Sequence, residues 1–101
     1  MADDLTIDDD TVLSIPDHVL SRRASDETVL LSLADDHYYG LEGVGTRLWE
    51  LIEVGTTFGA AIATLSAEYD VDVAVLSADL RALLTDLDQR HLVGTARIGG
   101  Q

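Results

Sequence analysis

The hydrophobic period of the chain changes within one short stretch, residues 34–52, and this change restricts the folds available to it. The stretch reads ADDHYYGLEGVGTRLWELI. Residues 35–36 are aspartates, which favour tight turns, and the aromatic residues that follow at 37–39 suit a pleated, half-buried strand. From Thr46 onward apolar residues recur at helical spacing, namely at Leu48, Trp49, Leu51 and Ile52. The chain therefore passes directly from a hairpin strand into an amphipathic helix.

Two further strands are predicted upstream of this stretch. Residues 17–24 and 28–33 carry β-prone and apolar residues, with a polar turn between them. With the third strand at residues 37–41, short turns join all three strands into an antiparallel meander. Residues 11–15 are also β-prone, but Pro16 cannot donate a hydrogen bond to a sheet, so we expect this segment to stay out of a central strand position.

Three helices follow the strands. The first covers residues 44–54 and ends at Gly55, which accepts the left-handed conformation common after a helix. The second is capped by Thr56 or Thr57 and presents an apolar stripe, and the third covers residues 73–90. Strands and helices in separate blocks predict an α+β fold, and this order fits a winged helix-turn-helix.

The predicted domain covers residues 11–93. Residues 1–10 are acidic and aperiodic, so we expect a disordered tail there, and we expect the glycine-containing residues 94–101 to form a flexible tail. The N-terminus lacks the basic start and apolar run of a signal peptide, and no apolar run is long enough to cross a membrane. The expected location is therefore the cytoplasm.

The formal net charge of −13 excludes several classes of partner. It arises from 19 acidic residues against six basic ones, all of which are arginine. A field of this sign repels phosphate backbones and anionic lipid surfaces, so neither nucleic acid nor a membrane is an expected partner. The charge favours basic partners instead.

The sequence indicates no catalytic, metal or cofactor site. There is no cysteine, and no serine lies in the strand-turn-helix context of a hydrolase nucleophile. His18, His37 and His91 fall in three different elements and form no zinc-binding pattern. The aspartates at residues 8–10 lack the ligand spacing of a calcium loop. We therefore expect a binding protein that has no catalytic residue, metal or cofactor.

The third predicted strand, residues 37–41, is expected to form an edge of the meander. An edge strand exposes unpaired backbone N–H and C=O groups, and this one has neither the lysine nor the proline that commonly blocks further pairing. An extended peptide could add there as a fourth strand, with the third helix as a second wall. The same edge could pair with a second copy of the chain, so a homodimer through this strand is an alternative.

The run HYYGLEGVGTRLWELI resembles the central motif of the PqqD-like family, small domains that recognise the leader peptides of ribosomally synthesised natural products. Residues 68–71 and 79–87 also match the family, in the same order. The resemblance spans residues 16–93 and is nearest to the stand-alone leader-binding protein of lasso-peptide pathways. One departure is His91, which stands where the family commonly has a glycine before its last apolar pair.

The resemblance implies a winged helix-turn-helix in which a leader peptide lies between the third strand and the third helix. The implied strand-side residues are Asp36, His37, Tyr38, Tyr39 and Leu41. The implied helix-side residues are Val75, Asp79, Ala82, Leu83 and Asp86, whose two aspartates would pair with basic residues of the leader. The two tyrosines alternate along the strand, so one is expected in the core and the other at the groove. The sequence leaves open which is which.

The resemblance also implies the partners. The protein would deliver a lasso-peptide precursor to a separate cysteine protease, with the cyclase as a further candidate partner. Within the family, the alternative is the peptide chaperone of the PQQ cofactor pathway, which hands its peptide to a radical-SAM enzyme. From a different class, the alternative is a winged-helix adaptor that does not bind DNA.

Overall fold

The computed structural model describes residues 7–97, in which an antiparallel meander packs against three helices. In chain order the elements are β1 (Thr11–Ser14), β2 (Val19–Ala24), β3 (Glu27–Ser32), β4 (His37–Glu42), α1 (Val44–Val54), β5 (Thr56–Thr57), α2 (Phe58–Tyr69), α3 (Val73–Gln89) and β6 (Gly94–Arg97). The meander has the spatial order β2-β3-β4. The predicted α+β fold, with a three-stranded sheet followed by three helices, is confirmed, and the third predicted strand is β4.

Side chains and glycine fix where the helices begin and end. The Thr57 hydroxyl accepts a hydrogen bond from the Ala60 amide at the start of α2, as the capping prediction required. The Asp72 carboxylate caps α3 in the same way. α1 ends at Val54, directly before Gly55 as predicted. The φ of 108° and ψ of 118° at Gly55 are open to glycine and strained for other residues, but they are not the left-handed helical conformation that was expected. Among the helices of residues 7–97, none has the length and apolar character needed to cross a membrane.

The core lies between the inner face of the meander and the three helices. Trp49 and Phe58, its two largest side chains, are each 1% exposed. Leu92 and Val93 return to this core after α3, and each is 3% exposed. The buried face of α2 consists of Phe58, Ala61, Ile62 and Leu65, whereas Tyr69, the last residue of the helix, is 42% exposed. β4 and α3 therefore pack against the same apolar core.

A second sheet, which the sequence did not reveal, joins the two ends of the described chain. It has the order β5-β1-β6, so β1 lies in the middle. The expectation that Pro16 would keep this segment out of a central position is therefore wrong. The reason is that β1 ends at Ser14, so the missing N–H of Pro16 falls beyond the ladder. β6, which begins at Gly94, lies within the segment expected to be a flexible tail.

Ordered structure also begins before residue 11, the expected start of the domain. Ile7 is 5% exposed within the core, and its carbonyl accepts a hydrogen bond of 2.9 Å from Arg81 Nε. The Gly59 amide donates to the Asp9 carbonyl at 3.1 Å. These contacts hold residues 7–10, which we name the N-terminal arm, against α2 and α3. The rest of the two expected tails, residues 1–6 and 98–101, lies outside the described residues.

Candidate peptide-binding site

One side of β4 has no partner strand among residues 7–97. β4 pairs with β3 along its whole length, from His37 opposite Ser32 to Glu42 opposite Glu27. In an antiparallel ladder alternate residues direct their N–H and C=O groups to opposite sides of the strand. About half of the six residues of β4 therefore direct both groups away from β3. This is the open edge that the sequence predicted for the third strand.

The two tyrosines of β4 point to opposite faces of the meander, and the structure decides which faces α3. Tyr39 is partly buried and packs against the core beside α3, as does the fully buried Leu41 on the same face of the strand. Tyr38 is 71% exposed on the other face, where it lies directly across from Leu31 and, one strand further, Leu20. Tyr39 is therefore the aromatic residue on the α3 side.

The wall opposite β4 is one face of α3. Leu83 and Asp86 on this face are partly buried, whereas Asp79 and Ala82 are exposed. Val75, about three turns before Asp86, lies on the same face and is 57% exposed. Asp79 makes no hydrogen bond or ion pair with the described residues. This face of α3 therefore carries two aspartates together with small and branched apolar residues.

The floor between the two walls lies over Gly45. A Cβ built on Gly45 would lie 3.5 Å from a methyl of Leu83 and 3.6 Å from a methyl of Leu41. Gly45 of α1 thus lies beneath the place where these two leucines meet. We name the space bounded by the β4 edge, the α3 face and this apolar floor the β4–α3 groove.

Three side chains tie the two walls together at one end of the groove. The Tyr39 hydroxyl donates a hydrogen bond of 2.7 Å to Asp86 Oδ2, and Arg90 Nε donates one of 3.1 Å to Asp86 Oδ1. The Arg90 guanidinium also lies 5.1 Å from the centre of the Tyr39 ring, within the range of a cation–π contact. We name this group of three residues the Tyr39 clasp.

The clasp perturbs both of its acidic groups. The hydrogen bond to Asp86, with burial and the negative charge of that carboxylate, raises the pKa of Tyr39. The hydrogen bond from Tyr39, followed by that from Arg90 and its positive charge, lowers the pKa of Asp86 against the opposing effect of burial. The arrangement therefore favours a neutral tyrosine and an ionised aspartate.

The remaining predicted residues lie at the end of the groove near the clasp. Asp36 is an exposed turn residue with a φ of 60°. His37 is exposed, with its Nδ1 3.6 Å from Asp35 Oδ2. A cavity of about 230 Å³ opens there and is lined in part by His37, Arg90 and His91. The structure thus brings Tyr39 and Leu41 together with the C-terminal half of α3, where Asp86 is already engaged within the protein. Tyr38 lies on the opposite face, in neither the core nor the groove, so the expectation that one tyrosine would fill each place is not met.

The sequence reasoning missed Gly45 and Arg90. The Asp86–Arg90 spacing of four residues on a helix was a readable signal for an ion pair on one face. Nothing in the sequence signalled that Arg90 also contacts Tyr39, because the two residues lie on elements distant in the chain. Gly45 read as one of several turn glycines, and its place in the floor depends on packing.

A larger cavity of about 870 Å³ lies elsewhere, beside the β2–β3 turn and α1. The arginines in its wall are already paired: Arg23 contacts Glu50, and Arg47 binds both Glu50 and Glu68. The hydrogen bond from Arg47 also holds the pKa of Glu68 below its usual range. Because these charges satisfy one another, the β4–α3 groove is the better candidate for a peptide.

Two comparisons with known proteins found a match for this chain. The family model described as coenzyme PQQ synthesis protein D (PqqD) matches residues 27–93, which is more than half of the chain. The solved structure described as TbiB1 in complex with the TbiA(beta) leader peptide is similar, with 39% sequence identity and a TM-score of 0.76. The similarity covers 79% of this chain and 93% of that one. A search of curated proteins found no match. The chain belongs to the PqqD family.

Proposed function

We propose that this protein binds the leader peptide of a lasso-peptide precursor by strand addition to β4, with α3 as the second wall. The observation that carries the proposal is the unpaired β4 edge, which faces α3 across an apolar floor. The similarity to TbiB1, whose structure contains a leader peptide, supports the same occupant for this groove.

Backbone pairing supplies only part of the binding free energy. About five main-chain hydrogen bonds at roughly 0.5–1.5 kcal/mol each amount to several kcal/mol. Ordering of a flexible peptide offsets part of this gain. Affinity and selectivity therefore depend on side chains that the peptide places against Leu41, Leu83 and the exposed face of α3.

Charge adds a second basis for selectivity. Asp79 is exposed on the groove side of α3, whereas Asp86 is bound to Tyr39 and Arg90. Of the two aspartates expected to meet basic leader residues, Asp79 is therefore the one available. Together with the net charge of −13, it favours a leader that carries lysine or arginine, through both the association rate and selectivity.

Delivery of the bound precursor completes the proposed role. The partner is a cysteine protease that removes the leader, with the cyclase as a further candidate, and the protein acts in the cytoplasm as a binding adaptor without chemistry of its own. The 39% sequence identity with TbiB1 favours this pathway over the PQQ-type chaperone or an unrelated adaptor. A homodimer through the β4 edge would compete with the leader for the same backbone groups.

Strand addition can be tested with two modified peptides. Fluorescence anisotropy would measure binding of the labelled TbiA(beta) leader and of two versions with N-methyl groups on alternate residues, one on the odd and one on the even positions. Only one of the two sets faces β4, because the backbone groups of a strand alternate. We expect one set to abolish binding and the other, a matched control, to be tolerated. Equal tolerance of both sets would refute strand addition.

A further inference from the structure

The meander has a second open edge, which is formed by β2. Among the described residues β2 pairs only with β3, from Val19 opposite Ser32 to Ala24 opposite Glu27. About half of the backbone N–H and C=O groups of β2 therefore point away from the sheet. Like β4, this strand contains neither lysine nor proline. It lies two strands from β4, or about 10 Å, so an occupant of the β2 edge would leave the β4–α3 groove accessible.

An apolar hollow on the outer face of the meander, the face that carries Tyr38, reaches this edge. Leu20, Leu31 and Tyr38 lie side by side across the three strands. Leu20 and Tyr38 are 52% and 71% exposed, so this row leaves apolar surface uncovered. A cavity of about 500 Å³ opens here, and its lining includes Val29 and, at the β2 edge, Ser21.

Arg22 lies beside this hollow without a partner. It is two residues from Leu20 and opposite Val29, so its side chain shares the outer face, and it belongs to the lining of the cavity. Arg22 forms no hydrogen bond, ion pair or cation–π contact with the described residues. The other arginine side chains that the structure describes are all engaged, namely those of Arg23, Arg47, Arg81 and Arg90. An unpaired cation next to an apolar hollow is complementary to a ligand that carries both a carboxylate and an apolar side chain.

A second copy of the chain fits the β2 edge poorly. Pairing of two β2 strands would place the positive side chains of both strands on one short ladder, where like charges are destabilising. It would also bring together two molecules that each carry a net charge of −13. The complementary occupant is therefore a segment of a different protein.

We propose that the β2 edge is a second docking site, which accepts an extended segment of a partner protein as an added strand. Side chains on one face of a strand are two residues apart, or about 7 Å, which is also the spacing of Leu20 and Arg22. The segment presents a branched or aromatic apolar residue beside Leu20 and an aspartate or glutamate beside Arg22, with one residue between them that faces the other way. The inference goes beyond the proposed function, because the two edges of the meander then hold two different chains.

Selection from a library of short random peptides displayed on phage tests this chemistry. The library is applied to the immobilised full-length protein together with excess free TbiA(beta) leader, which competes for the β4 edge. We expect the enriched peptides to share an acidic residue two positions from an apolar one. A selection that enriches nothing, or that enriches peptides without this spacing, would overturn the proposal.

Substitutions then locate the bound peptide, with the affinity of a labelled synthetic copy measured by fluorescence anisotropy. Leu20→Ser should weaken binding about fivefold, because it removes apolar area that the peptide covers. Leu33→Ser is the matched control, since it removes the same atoms from a side chain that is 53% exposed and outside the lining of the cavity. It should leave the affinity unchanged, and equal losses in the two variants would contradict docking beside Leu20.

A charge exchange tests the contact with Arg22. Arg22→Glu should weaken binding of the acidic peptide, and a peptide with lysine in place of its acidic residue should bind Arg22→Glu better than it binds the unmodified protein. A loss that the lysine peptide does not reverse would show that no such ion pair forms.

Hydrogen exchange distinguishes the two edges. On addition of the peptide, the β2 amides that do not pair with β3 should gain protection, while the β4 amides should not change. Protection of β4 instead would overturn the β2 site, because the peptide would then occupy the edge assigned to the leader. Leader binding is measured separately, so its failure would refute the proposed function and leave the β2 site to be decided by these results.

Discussion

Replacing Tyr39 by phenylalanine removes one hydroxyl from the Tyr39 clasp and leaves the aromatic ring in place. The lost contact is the 2.7 Å hydrogen bond to Asp86, and Asp86 keeps its bond from Arg90. A hydrogen bond to a charged group contributes about 1.5–3 kcal/mol when it is well buried. The Asp86 side chain is 39% exposed, so solvent screening reduces the expected loss to about 1 kcal/mol. For a domain of this size that corresponds to a fall in Tm of about 5 °C.

The pH dependence of this loss follows from the two pKa shifts. Because the folded protein lowers the pKa of Asp86, its stabilising contribution is present above the ordinary aspartate pKa and disappears as the pH falls through the lowered value. Because folding raises the pKa of Tyr39, its contribution is present below about pH 10 and disappears as the pH rises through the raised value. The difference between Tyr39→Phe and the unmodified protein should therefore be largest near neutral pH.

Thermal unfolding followed by circular dichroism, at neutral pH and well below the ordinary aspartate pKa of about 3.9, would measure the loss of stability and its dependence on acid. Tyr38→Phe is the matched control, because it removes the same atom from a neighbouring residue that is exposed on the opposite face. We expect Tyr38→Phe to leave Tm nearly unchanged at both values of pH. If Tyr39→Phe behaves like Tyr38→Phe at neutral pH, the clasp does not stabilise the fold and the reasoning is refuted.

Two further substitutions test how a helix cap and a close backbone contact stabilise the fold. Thr57→Ala should cost about 1 kcal/mol in unfolding free energy, measured by urea denaturation, because it removes the cap of α2, while Thr57→Ser should retain most of the stability. Gly59→Ala should lower Tm despite the better helix propensity of alanine, since its Cβ would lie 2.9 Å from Asp9 Cβ. Hydrogen exchange at residue 59 should accelerate as the N-terminal arm moves away. Gly40→Ala, where the added Cβ meets nothing within 4 Å, is the control, and equal effects at both glycines would contradict the close approach.

Many of the strand and helix boundaries were predictable because they depend on local patterns. The change of period near Thr46 placed the boundary between β4 and α1, and Gly55 and Thr57 marked helix ends that the structure confirms. These features involve residues only a few positions apart, so turn chemistry and helix capping determine them with little help from the rest of the chain.

The second sheet was not predictable for the converse reason. β1 pairs with β6 across most of the chain, from Thr11 opposite Arg97 to Ser14 opposite Gly94. No local pattern reports a partner at that distance, and Pro16 gave a misleading signal because it lies just outside the strand. The N-terminal arm was missed in the same way, since Ile7 is held by Arg81, a residue from the other end of the chain.

The sequence by itself determined the order of strands and helices, the absence of lysine or proline on the β4 edge and the strong negative charge. The tertiary structure decided which tyrosine faces α3 and which aspartate remains available. Sequence alternation places Tyr38 and Tyr39 on opposite faces, but only packing of the meander against the helices assigns those faces. The bond between Tyr39 and Asp86 likewise forms only after two distant elements meet over Gly45.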